Sequence, residues 1–288
     1  MRNKQNIIGI GELLWDVLPE GKKLGGAPCN FVYHAQKQGA KALALSAIGN
    51  DDNGKEILEV LKAKNISSEL IQINDKSTGT VDIALNNEGV PSYIIHENVA
   101  WDFILFNNVI EQKVSKADII CFGSLAQRSS TSHETIEKIL KCCKSEALKV
   151  YDINLRQDYY SHNIIEKSLQ LCNVLKLNED ELPVVCELLG VHAETEELQI
   201  LDLIKKYNLK LAAYTKGSES SFLMTSSDKS YMPTPKVEVK DTVGAGDSFT
   251  AAMIVGFAKG NSLKDIHQKA VEISAFVCTQ DGAMPEYY

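Results

Sequence analysis

The chain has 288 residues, 44% hydrophobic and 24% charged, enough apolar material to bury one large core. A net charge of −8 with no basic run argues against nucleic acid and against an anionic membrane as partners. Seven cysteines (Cys29, Cys121, Cys142, Cys143, Cys172, Cys186, Cys278) are dispersed and mostly set in apolar segments, which predicts reduced core residues; neither they nor the six histidines show metal-ligand spacing.

In chain order, the apolar run at 7–11 is too short for a signal peptide, and nothing later approaches a membrane span, so a cytoplasmic protein is expected. That run predicts a strand, followed by a helix at 30–38. The alternation continues with a strand at 42–48 and a helix at 54–64, then a strand at 118–122 and a helix at 132–145. Strands are further predicted at 148–153, 174–177 and 211–215, and helices at 179–189, 196–207, 246–259 and 263–279. Such alternation implies an α/β fold with a mostly parallel sheet, helices on both faces and ligands at the strand C-termini. Between 67 and 103 the pattern changes: strands at 78–86 and 91–96 flank the turn Asn86-Asn87-Glu88-Gly89, predicting a small β-sheet set off from the core. No repeat or linker marks a second independent domain.

Two glycine patterns read as decoys. Gly49 to Lys55 has P-loop spacing, but Glu56 follows, offering no hydroxyl to magnesium and adding negative charge beside a phosphate. Gly9-Ile10-Gly11 follows an apolar run, yet Leu14 stands where a dinucleotide fingerprint needs its third glycine.

The stretch Asp241-Thr-Val-Gly-Ala-Gly-Asp-Ser-Phe-Thr-Ala-Ala-Met253 is different. It joins an acid to a glycine-rich turn at the start of an apolar helix. Backbone N–H groups of Gly244, Ala245 and Gly246 are unshielded by bulky side chains, and the helix adds the positive end of its dipole. A carboxylate at Asp247 is placed to take a proton from an attacking hydroxyl while the amides hold phosphoryl oxygens. Taken alone, the same residues also fit a helix N-cap after a tight turn.

Together with Gly25-Gly26-Ala-Pro-Cys-Asn30 and Asn178-Glu-Asp-Glu181, this stretch resembles the ribokinase-like sugar kinases of the phosphofructokinase B type, in order and over essentially the whole chain. Val32 departs from the small residue common in that family's N-terminal signature. The resemblance implies a three-layer α/β/α kinase domain over 1–288, with a β lid from about 12–24 and 67–103. It implies Asp247 as base, an anion hole from Gly244, Ala245 and Gly246, and sugar contacts from Asp16, Gly25, Gly26 and Asn30. Asn178 and Glu181 match the element that positions magnesium, phosphate and water, although they also read as a helix cap and capping box. Thr215-Lys216-Gly217 matches the nucleotide-binding turn, with Ser220 where a glycine is usual. Asp241 is implied as a potassium-type cation site, with main-chain oxygens from the Gly282 loop.

Ala27-Pro28 after the paired glycines is similar to fructokinases, and Asp152-Ile-Asn154-Leu-Arg156 resembles a stretch of fructokinases and 2-keto-3-deoxygluconate kinases, with Ile153 in place of a proline. Arg156 is therefore a candidate substrate contact or a surface ion pair, and Trp101 a ring that stacks on sugar or anchors the lid. The implied reaction is transfer from Mg-ATP to the primary hydroxyl of an unphosphorylated sugar, fructose first. The alternatives are a 2-keto-3-deoxygluconate or nucleoside kinase, and a catalytically silent sugar-binding regulator. A homodimer through the lid edge is also implied.

Overall fold

The computed structural model describes residues 4–18, 21–85 and 91–287, with side chains outside 83–93. Runs of β-branched and small apolar residues with no polar alternation form strands buried on both faces: β1 (Asn6–Ile10), β4 (Lys41–Gly49), β8 (Ile119–Phe122), β9 (Leu148–Asp152), β10 (Val174–Asn178) and β11 (Leu211–Lys216). The intervening chain supplies β2 (Leu14–Leu18), β3 (Gly21–Gly25), β5 (Ile71–Asn74), β6 (Gly79–Leu85) and β7 (Pro91–Ile95). β12 (Ser220–Met224) and β13 (Lys229–Pro233) follow β11. The main sheet has the order β13-β12-β11-β10-β9-β8-β1-β4-β5, parallel except for the β11-β12-β13 meander at one edge.

Helices α1 (Ala27–Lys37), α2 (Asp52–Ala63), α3 (Asn108–Val114), α4 (Ser130–Cys142), α5 (His162–Leu171), α6 (Glu181–Leu189), α7 (Glu196–Tyr207), α8 (Ala245–Ala258) and α9 (Leu263–Cys278) cover the two faces. Side chains of α3 to α7 pack with Ile120, Tyr151 and Leu175 on one face; those of α1, α2, α8 and α9 pack with Cys121, Val150 and Val174 on the other. The alternation of neighbouring strand residues between the two cores is the period-2 geometry of a central strand. α8 is buried from Ser248 to Val255, consistent with its nearly unbroken apolar sequence. Among the described residues, no helix is long and apolar enough to cross a membrane, and all seven cysteines are free.

The small sheet has the order β3-β2-β6-β7. It differs from expectation at one end: β5 pairs in parallel with β4 in the main sheet, so 71–74 belongs to the core layer. Its neighbour β4 offers a free edge there, and pairing satisfies the backbone of both strands. The expected Asn86–Gly89 turn lies outside the described residues. α3, α5 and the β12-β13 pair were not expected; each is short or lacks a strong apolar period. The segment with P-loop spacing is a helix cap. Asp51 accepts from Gly54 N at 2.8 Å and from Thr78 N at 2.8 Å, which fills the turn with a carboxylate.

Candidate active site

The main sheet brings functional residues together by register. Asn178 lies opposite Thr215, Lys176 opposite Asp152, and Ile10 opposite Phe122, so the C-terminal ends of β11, β10, β9, β8 and β1 follow one another along one edge. A pocket at that edge is lined by Glu12, Pro28, Gly123, Asp152, Asn154 and Asp247, among others. This is where ligands bind in open parallel sheets.

Asp247 lies in the first turn of α8 and accepts a hydrogen bond from Asn30 Nδ2 at 2.8 Å, donated from the first turn of α1. Burial, reinforced by the nearby Asp152 charge, pushes its carboxyl up to about 7; the Asn30 bond and Lys176 oppose the rise. A carboxylate poised there is matched to proton abstraction near neutral pH. Asn30 Oδ1 is buried and has no protein partner, which leaves an acceptor for a hydroxyl beside the base.

Three charged residues that the sequence reading did not place in the site, Lys176, Asp152 and Glu12, stand beside Asp247. Lys176 is 6% exposed and lies in a strand otherwise apolar; its Nζ is 3.1 Å from Asp152 Oδ1. Burial alone would lower the Lys176 pKa, but Asp152 and Glu181 outweigh it and hold the ammonium charged. The lysine side chain reaches the start of α8: a Cβ added at Gly246 would lie 3.3 Å from its Nζ. Asp152 Oδ2 accepts from Thr250 Oγ1 at 2.9 Å. The available sequence signal was a lone lysine inside the buried run Val174-Leu-Lys-Leu177, since a buried charge requires a partner. Glu12 is also buried and lines the pocket; its Oε1 accepts from Ala27 N at 3.2 Å.

The glycine turn has the predicted shape with one correction. Gly244 has φ 79, a left-handed conformation, and a Cβ there would sit 2.8 Å from Ala283. Ala245 N, expected to face an anion, donates to Thr242 O at 3.2 Å. The first intrahelical bond is Ser248 N to Gly244 O at 2.9 Å, so the amide of Gly244 and the first-turn amides of Gly246 and Asp247 remain available to an anion. Asp241 meets the Gly282 loop through an amide: its Oδ2 accepts from Gly282 N at 3.1 Å and its Oδ1 from Val243 N at 3.0 Å.

In the small sheet, Asp16 and Gly25 sit close across β2 and β3; a Cβ at Gly25 would lie 2.5 Å from Asp16 Oδ2. Gly26 has φ 116, and a Cβ there would lie 2.4 Å from Glu12 O, so this position admits no side chain; at Gly25 the Asp16 side chain would have to move. Burial raises the Asp16 pKa and the Arg156 charge lowers it. Burial likewise raises the Glu12 pKa, and Arg156 is among the groups that oppose the rise, so its exposed guanidinium acts on both acids. Trp101 does not reach a pocket. It is 0% exposed, packs beneath Gly79 and lies with its ring 4.0 Å from the Arg128 guanidinium carbon, so it anchors the base of the small sheet. Arg128 in turn is held by Asp102 at 2.8 Å.

On the other side, Asn178 Oδ1 accepts from Glu181 N at 2.9 Å, and Glu181 Oε2 accepts from Asn178 N at 2.9 Å, a reciprocal cap. Glu181 Oε1 also accepts from Leu155 N at 3.0 Å, so backbone amides fix the orientation of this carboxylate. Thr215 O accepts from Glu179 N at 3.1 Å, joining the ends of β10 and β11. Lys216 pairs with Glu196 at 3.0 Å, and Gly217 has φ 42 beside Glu179.

This constellation agrees with the comparisons. The family model for pfkB family carbohydrate kinases matches residues 12–287. The chain belongs to the pfkB family. An uncharacterized sugar kinase of Pyrococcus horikoshii is 29% identical over 96% of this kinase and 91% of its own length. The structure of that protein in complex with ATP superposes with a TM-score of 0.82, covering 96% of this chain and 94% of the other. A protein named probable fructokinase-5, from Arabidopsis thaliana, is 26% identical over 99% of this chain and 95% of its own. A fructokinase of Vibrio cholerae, solved with fructose, ADP and potassium, has a TM-score of 0.81 at 20% identity, covering 98% and 96%, and carries the fold alone. This pfkB protein is thus an α/β, ribokinase-like member of a family of carbohydrate kinases.

Proposed function

We propose that this kinase transfers phosphate from ATP to the primary hydroxyl of a small unphosphorylated sugar, fructose before others. The observation that carries this reading is Asp247, a buried carboxyl pushed to about 7, bonded to Asn30 and flanked by the first turn of α8. Asp247 takes the hydroxyl proton as the oxygen attacks, and the amides of Gly246 and Asp247 with Lys176 stabilise the transferring phosphoryl group. Asp16, Gly26, Asn30 and the unpartnered Asn30 Oδ1 suit adjacent hydroxyls of a polyol.

Thr215, Lys216 and Gly217, beside Asn178, form the nucleotide side. Among the described residues no three His, Cys, Asp or Glu side chains stand together as a metal cage. Magnesium would arrive with ATP and keep waters, Glu181 acting through one of them. Magnesium supplies charge neutralisation on the phosphates. Asp241 and the Gly282 loop are the proposed potassium site, and the small sheet is the proposed lid, closing over sugar to exclude water. The exposed Val17 and Ile94 on that sheet support a homodimer through its edge, which sedimentation would test. The proposed setting is cytoplasmic.

ATP consumption with magnesium and potassium across fructose, ribose, 2-keto-3-deoxygluconate, adenosine and fructose 6-phosphate tests the assignment. Turnover foremost with fructose is expected. Preference for 2-keto-3-deoxygluconate would instead make Arg156 the partner of a substrate carboxylate, a second reading favoured by its place beside Asp16 and Glu12. No turnover with any acceptor by the folded protein would overturn the kinase reading in favour of a sugar-binding regulator.

A further inference from the structure

The segment after α9 runs from Gly282 to Tyr287 with no helix or strand, so its backbone groups need partners from elsewhere. They are supplied in sequence. His34 Nε2 lies 2.8 Å from Ala283 O, Lys64 Nζ donates to Met284 O at 2.9 Å, and Tyr33 OH donates to Pro285 O at 2.6 Å. Three successive carbonyls are thus held by three different side chains, two of them on α1. Just upstream, Gly282 N is held by Asp241.

The held segment backs the phosphoryl site. Ala283 lies directly against Gly244, close enough that a Cβ on Gly244 would be 2.8 Å from its Cα, Cβ and O. His34 follows Asn30 by four residues on α1, the spacing that puts two side chains on one helix face. One face of α1 therefore holds the Asp247 carboxylate through Asn30 and the support of the Gly244 turn through His34. His34 is fully buried, and burial lowers its pKa to about 4, so it is neutral in use. A carbonyl can only accept, so Nε2 carries the proton; the bare Nδ1 then accepts from Tyr287 OH at 2.7 Å. No isosteric apolar side chain performs both tasks.

We infer that His34 is a positioning residue for phosphoryl transfer: by donating from Nε2 to Ala283 O, it fixes the 282–287 segment against Gly244 and so sets where the first-turn amides of α8 point. The inference rests on the proposed role of those amides. The imidazole has two edges, and each can be removed separately. A glutamine amide nitrogen is as many bonds from Cα as Nε2, and an asparagine amide nitrogen as many as Nδ1. His34→Gln keeps a donor toward Ala283 O, His34→Asn loses it, and Tyr287→Phe removes only the other contact.

The experiment is amide hydrogen exchange of 242–247, read alongside kcat and both KM values, on wild type and these three variants. Expected for H34N are at least tenfold faster exchange at Val243 and Ala245, the hydrogen-bonded amides of this stretch, and at least tenfold lower kcat, with the sugar KM within twofold. H34Q and Y287F should stay within threefold of wild type in exchange and turnover. Unchanged exchange in H34N overturns the inference, as does equal loss of kcat in H34N and H34Q. If H34N does not fold, H34Q decides: exchange and turnover retained support the donor role, and their loss overturns it. Wild-type protein inactive on every acceptor would sink the kinase reading, while the exchange arm would still decide whether His34 holds the turn.

Discussion

Asp247 is held against its own stability. Its folded pKa, about 7, lies above the ordinary 3.8, so the ionised form is disfavoured in the fold; the contribution to stability is complete below 3.8 and is lost as pH rises through 7. Asp247→Asn should therefore lower turnover at least about a hundredfold while raising the melting temperature at pH 8, the gain shrinking as pH falls below 7. In wild type, kcat/KM should climb about tenfold per pH unit up to 7 and level off above it. A pH-independent rate from 5.5 to 8 would remove Asp247 as base. Lys176 makes the opposite prediction. Lys176→Met leaves Asp152 buried without its cation, so both activity and stability should fall, the latter by about 3–5 kcal/mol on chemical denaturation. A variant as stable as wild type would show that the pair is dispensable to the fold.

At the scale of elements, the site depends on how chain ends are presented. β10 and β11 end beside each other because their register pairs Asn178 with Thr215, and α1 and α8 begin beside each other because Asn30 must reach Asp247. The small sheet depends on its base. Trp101, fully buried under Gly79 and against Arg128, ties β6 to the core, and truncation to Ala should cost about 3–5 kcal/mol with sugar KM affected only through that loss. Arg156→Ala, at an exposed position, should leave thermal stability nearly unchanged and shift KM for an acidic acceptor. A stable W101A with a sharply raised sugar KM would return the ring to the pocket.

The whole molecule carries an acid liability. His34 and His267 are fully buried and neutral, each with its pKa lowered to about 4 by burial, and His267 is pinned between Ser221 at 2.8 Å and Ser230 at 2.9 Å. Unfolded histidines bind protons near 6.5, so stability from these two groups is full above that pH and is lost as pH falls toward 4. Between pH 7.5 and 5 each ring costs about 2 kcal/mol while the Asp247 carboxyl returns about 2, so the rings are read by difference: His267→Gln should lose about 2 kcal/mol less than wild type over that interval in denaturant titrations. An equal loss in both proteins would mean that the His267 ring is solvated.

The linear order of residues determined the layer architecture, the parallel sheet and the motif around Asp247, because burial on both faces of a strand and a glycine turn before an apolar helix each leave a local pattern. The same locality made Asn178 and Glu181 legible as a reciprocal cap. Tertiary structure alone decided the rest. It placed Lys176 against Asp152 by cross-strand register, spent the Ala245 amide on Thr242, moved 71–74 into the main sheet and buried Trp101. It also brought His34 to Ala283, 249 residues away. Contacts at that separation are set by packing of whole elements, and hydrophobic periodicity reports which face is buried without reporting what it is buried against.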